Sequence, residues 1–190
     1  MYDVIRERIT ESIMVKQALL DNTELLNVVS SLSDEIGNAI KNGNKLVLCG
    51  NGGSASDALH FAGEIVGRFQ KERKAWPAVV LNADVATMTA IANDYGYDDV
   101  FARQAEGHVN AGDILIGIST SGNSENVYRA IEVAKKKGAK TAALLGKDGG
   151  IIGKHVDYPI VVSCNTTARV QESHIMLIPI MCEIVEEMLG

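Results

Sequence analysis

The stretch Ile114-Leu115-Ile116-Gly117-Ile118-Ser119-Thr120-Ser121-Gly122-Asn123-Ser124 joins an apolar run to a hydroxyl-rich turn. Its apolar part is rich in β-branched residues, which is typical of a strand buried in a parallel sheet. A helical pattern begins at Glu125 and ends near Lys137, where Gly138 is a stop signal. The stretch therefore predicts a strand, a turn and a helix in succession, the repeating unit of α/β folds.

The turn of this unit offers several hydrogen-bond donors to one ligand. Its hydroxyl side chains are Ser119, Thr120, Ser121 and Ser124, and the first turn of the helix adds free backbone N–H groups. Such a helix N-terminus suits a phosphate group. No lysine completes the nucleotide-binding pattern G-x-x-x-x-G-K-[ST], so a small phosphorylated metabolite is the expected ligand. The alternative is an ordinary βα turn in which a serine caps the helix.

Composition excludes several classes of function. A net charge of −6 and an isoelectric point near 5.2 provide no basic surface for nucleic acid or membrane. The longest apolar run, residues 175–182, is too short to span a bilayer. Three scattered cysteines, Cys49, Cys164 and Cys182, favour reduced thiols in the cytoplasm over a disulfide framework.

The rest of the chain alternates strand and helix patterns. Strands are predicted at 45–49, 77–81, 114–118, 140–145 and 157–162, and helices at 3–20, 25–40, 55–68, 87–92, 125–137 and 169–189, with Asp98 capping a further helix through Gly107. This alternation predicts one domain over residues 1–190, a three-layer, doubly wound sheet of about five parallel strands. The two helices of residues 1–42 precede that α/β core (45–190) and need an apolar partner, such as another subunit.

A glycine-rich loop, residues 50–54 (GNGGS), follows the first predicted strand. Gly50, Gly52 and Ala55 satisfy the dinucleotide pattern G-x-G-x-x-A, but the nearest acidic residue after the second strand, Asp84, lies beyond the expected spacing. A nicotinamide-dependent oxidoreductase is therefore a weak alternative. Ligands bind at the carboxyl ends of such strands, so we expect the loops at 51–53, 93–94 and 119–124 to converge. Cys49 is predicted to belong to the core.

The helix after this loop carries His60 and Glu64, four positions apart and therefore on one face. Such a pair can supply two metal ligands, or a general base beside a polar partner. The alternative is a surface pair without chemistry. Arg68, one turn further along, either meets an anion or faces solvent.

Seven segments, in order along nearly the whole chain, form a joint pattern. They are residues 49–54, 60–64, 92–96, 112–113, 117–124, 148–150 and 169–174. Together they resemble the sedoheptulose-7-phosphate isomerase (phosphoheptose isomerase) family of the sugar isomerase (SIS) fold. The resemblance implies isomerisation of sedoheptulose 7-phosphate to D-glycero-D-manno-heptose 7-phosphate, a precursor of lipopolysaccharide or other heptose glycans. It also implies a homotetramer with active sites between subunits.

The same resemblance assigns roles to individual residues. The sugar-contacting positions are Asn51, Gly52, Gly53, Asn93 and Asp94, and the phosphate positions are Ser119, Thr120, Ser121 and Ser124. Independently of the resemblance, we expect Arg68 and Gln171 at the substrate as well. Glu64 matches the catalytic base. Zinc is the implied cofactor, with His60, Glu64 and Gln171 as its ligands.

The chain departs from the family pattern at Pro179. The resemblance places a histidine there, both a zinc ligand and a proton-transfer group, and proline can serve as neither. His174 is a candidate replacement, although a structural role suits it better. The departure favours one alternative function, a non-catalytic SIS protein that binds a phosphosugar and regulates or binds a partner, like the relative that associates with the bacterial replication initiator.

Overall fold

Five parallel strands form the single sheet of the computed structural model, which describes residues 1–190. The strands are β1 (Leu46–Gly50), β2 (Ala78–Val80), β3 (Ile114–Ser119), β4 (Lys140–Gly146) and β5 (Tyr158–Val162). Their order across the sheet is β2-β1-β3-β4-β5, and every neighbouring pair is parallel. The predicted α/β class and strand number are confirmed.

Eight α-helices accompany the sheet. They are α1 (Tyr2–Leu20), α2 (Thr23–Lys41), α3 (Gly53–Val66), α4 (Val85–Tyr95), α5 (Val100–His108), α6 (Glu125–Lys136), α7 (Gly150–Gly153) and α8 (Thr167–Leu189). Several of these helices begin or end at the polar residues and glycines that predicted a break in the chain. The Asn22 side chain caps α2 by accepting a hydrogen bond from the Leu25 N–H at 3.0 Å. Gly138, with a φ of +77°, follows α6.

Helices cover both faces of the sheet and produce three layers. Along β1, Leu46 and Leu48 pack with apolar side chains of α2, α3 and α8, whereas Val47 and Cys49 pack with those of α5 and α6. This alternation follows from the two-residue period of a strand. All four side chains are fully buried, so the β1 prediction and the core assignment of Cys49 are confirmed.

The strand order creates a switch point between β1 and β3. Chain connections leave these two neighbours in opposite directions across the sheet, and Gly50 of β1 pairs with Ile118 of β3. Loops at a switch point diverge to opposite faces and leave a crevice between them. The glycine-rich loop and the hydroxyl-rich turn therefore lie side by side at the carboxyl edge.

The region between β2 and α5 differs from its prediction. α4 begins at Val85 and continues to Tyr95, so Asn93 and Asp94 lie on its last turn rather than in a polar break. Asp98 does not cap the next helix, because residues 97–99 form a 3-10 turn first. Asp98 instead lies 3.9 Å from the guanidinium of Arg129 on α6. A long-range charge partner, which local patterns cannot show, thus replaces the capping role.

The C-terminal ends of α3 and α8 carry two further differences. α3 ends at Val66, before Gly67, so Arg68 lies beyond the helix rather than one turn along it. α8 continues through Pro179 as one helix, although proline leaves the Ile175 carbonyl without its usual donor. Burial of Ile178 and Met181 on either side of the proline holds the helix against the core.

One face of α1 remains uncovered in the single chain. Ile5, Ile9 and Ile13 are 58%, 56% and 60% exposed, at the four-residue spacing of a helix stripe. The predicted need of the N-terminal helices for an apolar partner is therefore unmet within one chain. None of the helices combines the length and apolar character required to span a bilayer.

Candidate active site

Two helices begin at the switch point without a side-chain cap. α3 starts after Gly52 and α6 after Ser124, and neither residue accepts a hydrogen bond through its side chain from the helix that it precedes. Uncapped N-termini direct backbone N–H groups and a partial positive charge towards an anion. The crevice therefore has the electrostatic character that a phosphate group requires.

The serine hydroxyls of the turn after β3 form one cluster. The Ser119 Oγ lies 2.8 Å from the Ser124 Oγ and 3.4 Å from the Ser121 Oγ, and the Ser121 Oγ accepts a hydrogen bond from the Asn123 N–H. Ser124 stands at the N-cap position but uses its hydroxyl on Ser119. The alternative of a simple serine cap is therefore wrong, and the hydroxyls are grouped as an anion site would need them.

Gly122 allows this turn to approach the loop after β4. Its φ is +69°, and an added Cβ would overlap the Gly149 carbonyl. The Asn123 Oδ1 accepts a hydrogen bond from the Ile151 N–H at 3.0 Å, which joins the same two loops. Thr120 is half-buried, and its carbonyl lies against Gly146 at the end of β4. The β4 loop thus supports the turn from the opposite side of the crevice.

Asn51 is tied to two residues that sequence reasoning missed. It exchanges hydrogen bonds with Asn126 in the first turn of α6, and its Oδ1 also accepts the hydroxyl proton of Tyr97 at 2.9 Å. A signal for Asn126 existed, since it is a polar residue on the otherwise apolar inner face of α6. No local pattern points to Tyr97.

Asn93 and Asp94 are only partly brought to this crevice. Both side chains are exposed on the last turn of α4, and the Asn93 amide donates to the Asp94 carboxylate at 2.8 Å. Their helix approaches the crevice through Tyr97, whose hydroxyl reaches Asn51. Of the three loops expected to converge, those after β1 and β3 meet directly, and the third joins them at Tyr97.

His60 and Glu64 share one face of α3, as predicted. The His60 Nε2 lies 3.7 Å from the Glu64 Oε1, and both side chains are partly open to solvent. An imidazole beside a carboxylate can relay a proton or provide two metal ligands. Arg68 is largely exposed, and its nearest acidic partner is Glu72 at 3.7 Å, so within the chain it faces solvent.

Gln171 lies at the other end of α3. Its amide rests against Gly53, where any added Cβ would overlap it. Gly53 precedes His60 by two helical turns, which is about 10 Å at 1.5 Å per residue. Gln171 therefore connects the start of α8 to the glycine-rich loop at the edge of the crevice.

This arrangement bears on the zinc implied by the resemblance. His60 and Glu64 fit two positions of a metal site, but no group of three or more His, Cys, Asp or Glu side chains is close enough to hold a metal. A catalytic zinc usually has three protein ligands, and Pro179 supplies none. Among side chains of these four types, only His60 and Glu64 are therefore paired at this position.

Two buried ionisable groups near the site have unpartnered atoms. Asp57, one turn before His60, is 8% exposed with no partner for its Oδ2, and burial raises its pKa against the opposing effect of His60. His174 is fully buried, and its Nε2 donates to the Leu145 carbonyl at 3.0 Å. Burial lowers the pKa of His174 to about 4. The Leu145 carbonyl engages the Nε2 of His174 inside the core, which supports a structural role for this side chain.

The structure argues against the nicotinamide-dependent oxidoreductase, because Asp84, the acidic residue considered for binding its ribose, has another role. Asp84 caps α4, where its Oδ1 accepts from the N–H groups of Ala86 and Thr87 and its Oδ2 from the Thr87 hydroxyl. These hydrogen bonds lower the pKa of Asp84. Its carboxylate is therefore engaged in the helix cap and is not free to bind a ribose.

Known proteins with similar sequences are sugar-phosphate isomerases, in agreement with the phosphate-binding character of the crevice. Residues 14–146 match the family model described as the SIS domain. The phosphoheptose isomerase of Citrifermentans bemidjiense is 53% identical over 163 residues, which cover 86% of this chain and 85% of that protein. The phosphoheptose isomerase of Sulfurimonas denitrificans is 47% identical over 187 residues, which cover 98% and 96%.

Solved structures extend the likeness to three dimensions. The phosphoheptose isomerase of Neisseria gonorrhoeae superposes with a TM-score of 0.92 at 39% identity, covering 98% of both chains. That of Francisella tularensis superposes with a TM-score of 0.93 at 34% identity and the same coverage. Fold, crevice and sequence agree over almost the full length, and the chain therefore belongs to the phosphoheptose isomerase family of SIS-domain proteins.

Proposed function

We propose that this chain isomerises sedoheptulose 7-phosphate to D-glycero-D-manno-heptose 7-phosphate in the synthesis of a heptose precursor. The observation that carries the proposal is the cluster of Ser119, Ser121 and Ser124 hydroxyls at the uncapped start of α6. This cluster would hold the 7-phosphate, and the crevice between β1 and β3 would hold the sugar. The names of the relatives support the reaction.

The reaction moves hydrogen between two adjacent carbons. A base takes a proton from C1 of the ketose, and O2 gains a proton, which produces an enediol. Proton return to C2 and loss of the O1 proton then form the aldose. We assign Glu64 as the base, because its carboxylate is accessible and has His60 beside it at 3.7 Å. The charge that develops on O2 needs a donor or cation, and we assign this role to His60 because it lies beside Glu64.

We also propose zinc as the cofactor of this reaction. His60 and Glu64 would hold the ion, with Gln171 as the third ligand assigned by the resemblance. The ion would polarise the sugar oxygens as a Lewis acid. Metal analysis of the purified protein, before and after dialysis against a chelator, tests this part separately from the isomerisation.

Assembly and location are also proposals. We infer that residues 1–190 act as one SIS domain, with 45–190 as the core and 1–42 in subunit packing, in a cytoplasmic homotetramer with sites between subunits. The apolar stripe of Ile5, Ile9 and Ile13 supports a packing surface. The free thiols of Cys49, Cys164 and Cys182 suit a reducing compartment. Sedimentation of the purified protein would measure the assembly.

Pro179 favours a second candidate, a phosphosugar-binding protein without turnover. NMR of sedoheptulose 7-phosphate incubated with the protein, with and without zinc, separates the two. Appearance of the manno-configured aldose supports the isomerase, and bound but unchanged ketose supports the binding protein. Glu64→Gln is the matched variant. It should abolish turnover and keep phosphosugar binding, whereas equal loss of both would remove Glu64 from the role of base.

A further inference from the structure

Arg73, whose side chain is 9% exposed, holds the C-terminal end of α3. The Arg73 Nη2 donates to the Glu64 carbonyl at 2.7 Å, and its Nη1 donates to the Ile65 carbonyl at 3.0 Å. Carbonyls in the last turn of a helix have no donor within the helix. Arg73 therefore supplies the missing donors, and one of the two carbonyls belongs to the residue assigned as the base.

Glu186 of α8 holds this arginine and the segment that leads to it. Its carboxylate accepts hydrogen bonds from the N–H groups of Phe69, Gln70 and Lys71 at 2.8–2.9 Å and from the Arg73 Nε at 2.9 Å. Glu186 is only 2% exposed. A buried carboxylate with four donors is fully paired, so the geometry around it is tightly defined.

Trp76 closes the arrangement from the other side. The guanidinium carbon of Arg73 lies 3.4 Å from the centroid of the Trp76 ring, and the Trp76 N–H donates to the Ile65 carbonyl at 3.4 Å. Stacking on Trp76 and hydrogen bonds to Glu186 and the α3 carbonyls together fix the orientation of the guanidinium. Trp76 is also the only tryptophan of the chain, so tryptophan fluorescence reports on the surroundings of this ring, which include Arg73.

We propose that Arg73, held by Glu186, is a positioning residue that sets the location of the Glu64 carboxylate for proton transfer. This inference rests on the role of Glu64 in the proposed function. The backbone of Glu64 has a fixed donor, whereas His60 is the one ion-pair partner of its side chain. The orientation of the last α3 turn therefore controls where the carboxylate points. The proposed phosphate site is at the start of α6, which follows the carboxyl end of β3, whereas Arg73 belongs to the segment that leads into the amino end of β2. We therefore expect changes at Arg73 to leave phosphate binding unaffected.

The test separates kcat from KM. We expect Arg73→Ala to lower kcat roughly 10- to 100-fold, the scale of a small misplacement of a catalytic group, with KM changed by less than about threefold. Arg73→Lys should recover part of the loss, and Glu186→Gln should lower kcat to an intermediate degree. Trp76 fluorescence should shift in Arg73→Ala and shift less in Arg73→Lys. Lys74→Ala, an exposed neighbour, is the matched control and should behave as wild type.

Three results would overturn the inference. The first is a folded Arg73→Ala protein with wild-type kcat, and the second is a rise in KM that accounts for the whole effect. If Arg73→Ala does not fold, a wild-type kcat in both Glu186→Gln and Arg73→Lys would overturn the inference instead. The third is turnover by Glu64→Gln, which would overturn the proposed base as well. An inactive Glu64→Gln beside fully active arginine variants would overturn the positioning role alone.

Discussion

Asn51 and Asn126 exchange two hydrogen bonds across the crevice between β1 and β3, at 2.9 Å and 3.0 Å from Nδ2 to Oδ1. The Oδ1 of Asn51 also accepts from Tyr97, and that of Asn126 also accepts from the Val127 N–H. Both acceptors are therefore fully used, and Asn51 retains only one N–H for a sugar. The pair couples the glycine-rich loop to α6, the helix that begins at the proposed phosphate site.

Asn126→Ala tests this coupling. Asn126 is 3% exposed, so its loss leaves the Asn51 amide without its buried partner and should destabilise the protein by about 1–3 kcal/mol. We also expect a raised KM, because the glycine-rich loop loses its attachment to α6. Urea unfolding and steady-state kinetics measure the two effects. Tyr97→Phe removes one hydrogen bond from a 55% exposed side chain and should cost less, and an equal cost would contradict the assigned geometry.

Gly122→Ala should weaken phosphosugar binding. The added Cβ would overlap the Gly149 carbonyl, and the φ of +69° is unfavourable for alanine, so the hydroxyl turn must move. Calorimetry with the ketose phosphate measures the loss. Gly107→Ala in α5 is the control, because no atom lies within 4 Å of its Cβ and alanine favours a helix by roughly 0.5–1 kcal/mol. Unchanged affinity in Gly122→Ala would show that the phosphate binds elsewhere.

Glu186 should contribute to stability in a defined pH range. Its hydrogen bonds to the backbone of residues 69–71 and to Arg73 lower its pKa from 4.5 to about 2, against the effect of burial. A lowered carboxylate pKa stabilises the folded protein above the unfolded value and loses that effect as the pH falls. We therefore expect the free energy of unfolding to decline between about pH 4.5 and 2. The Glu186→Gln variant should be less stable than wild type at pH 7, and its free energy of unfolding should decline less between pH 4.5 and 2.

His174 should weaken the fold in mild acid. Burial lowers its pKa from 6.5 to about 4, so protons bind the unfolded chain first. The stability present above pH 6.5 should therefore fall between pH 6.5 and 4, by about 3 kcal/mol in total. His174→Gln preserves a donor for the Leu145 carbonyl and should remove this decline. Its pH–rate profile should match wild type, and a missing limb of that profile would make His174 a proton-transfer group after all.

Pro179→His should restore what the family pattern requires at this position. A histidine adds a ligand and a titratable group, and it returns a backbone donor to the Ile175 carbonyl. We expect tighter zinc retention and higher turnover with sedoheptulose 7-phosphate. Pro179→Ala is the control, since it restores the backbone donor without a ligand. Equal behaviour of the two variants would exclude a role for the side chain.

Features set by neighbouring residues were predictable from the sequence. The apolar runs of β1 and β3, the hydroxyl turn and the His60–Glu64 face depend on strand and helix periods, which act over a few residues. The same local rules located the N-terminal helices and the glycine that follows α6. The family resemblance used these segments jointly and indicated the SIS fold before any contact was known.

Contacts between distant segments required the tertiary structure. Asn51 meets Asn126, Gln171 meets Gly53, and Arg73 meets Glu186 only because the strand order brings the ends of separate elements together. Burial in the folded chain lowers the pKa of His174, which residue type alone does not reveal. Periodicity is a property of short stretches, whereas burial and pairing depend on which surfaces meet. The sequence alone therefore determined the elements and the chemistry available, and the packing of those elements decided which groups face one another.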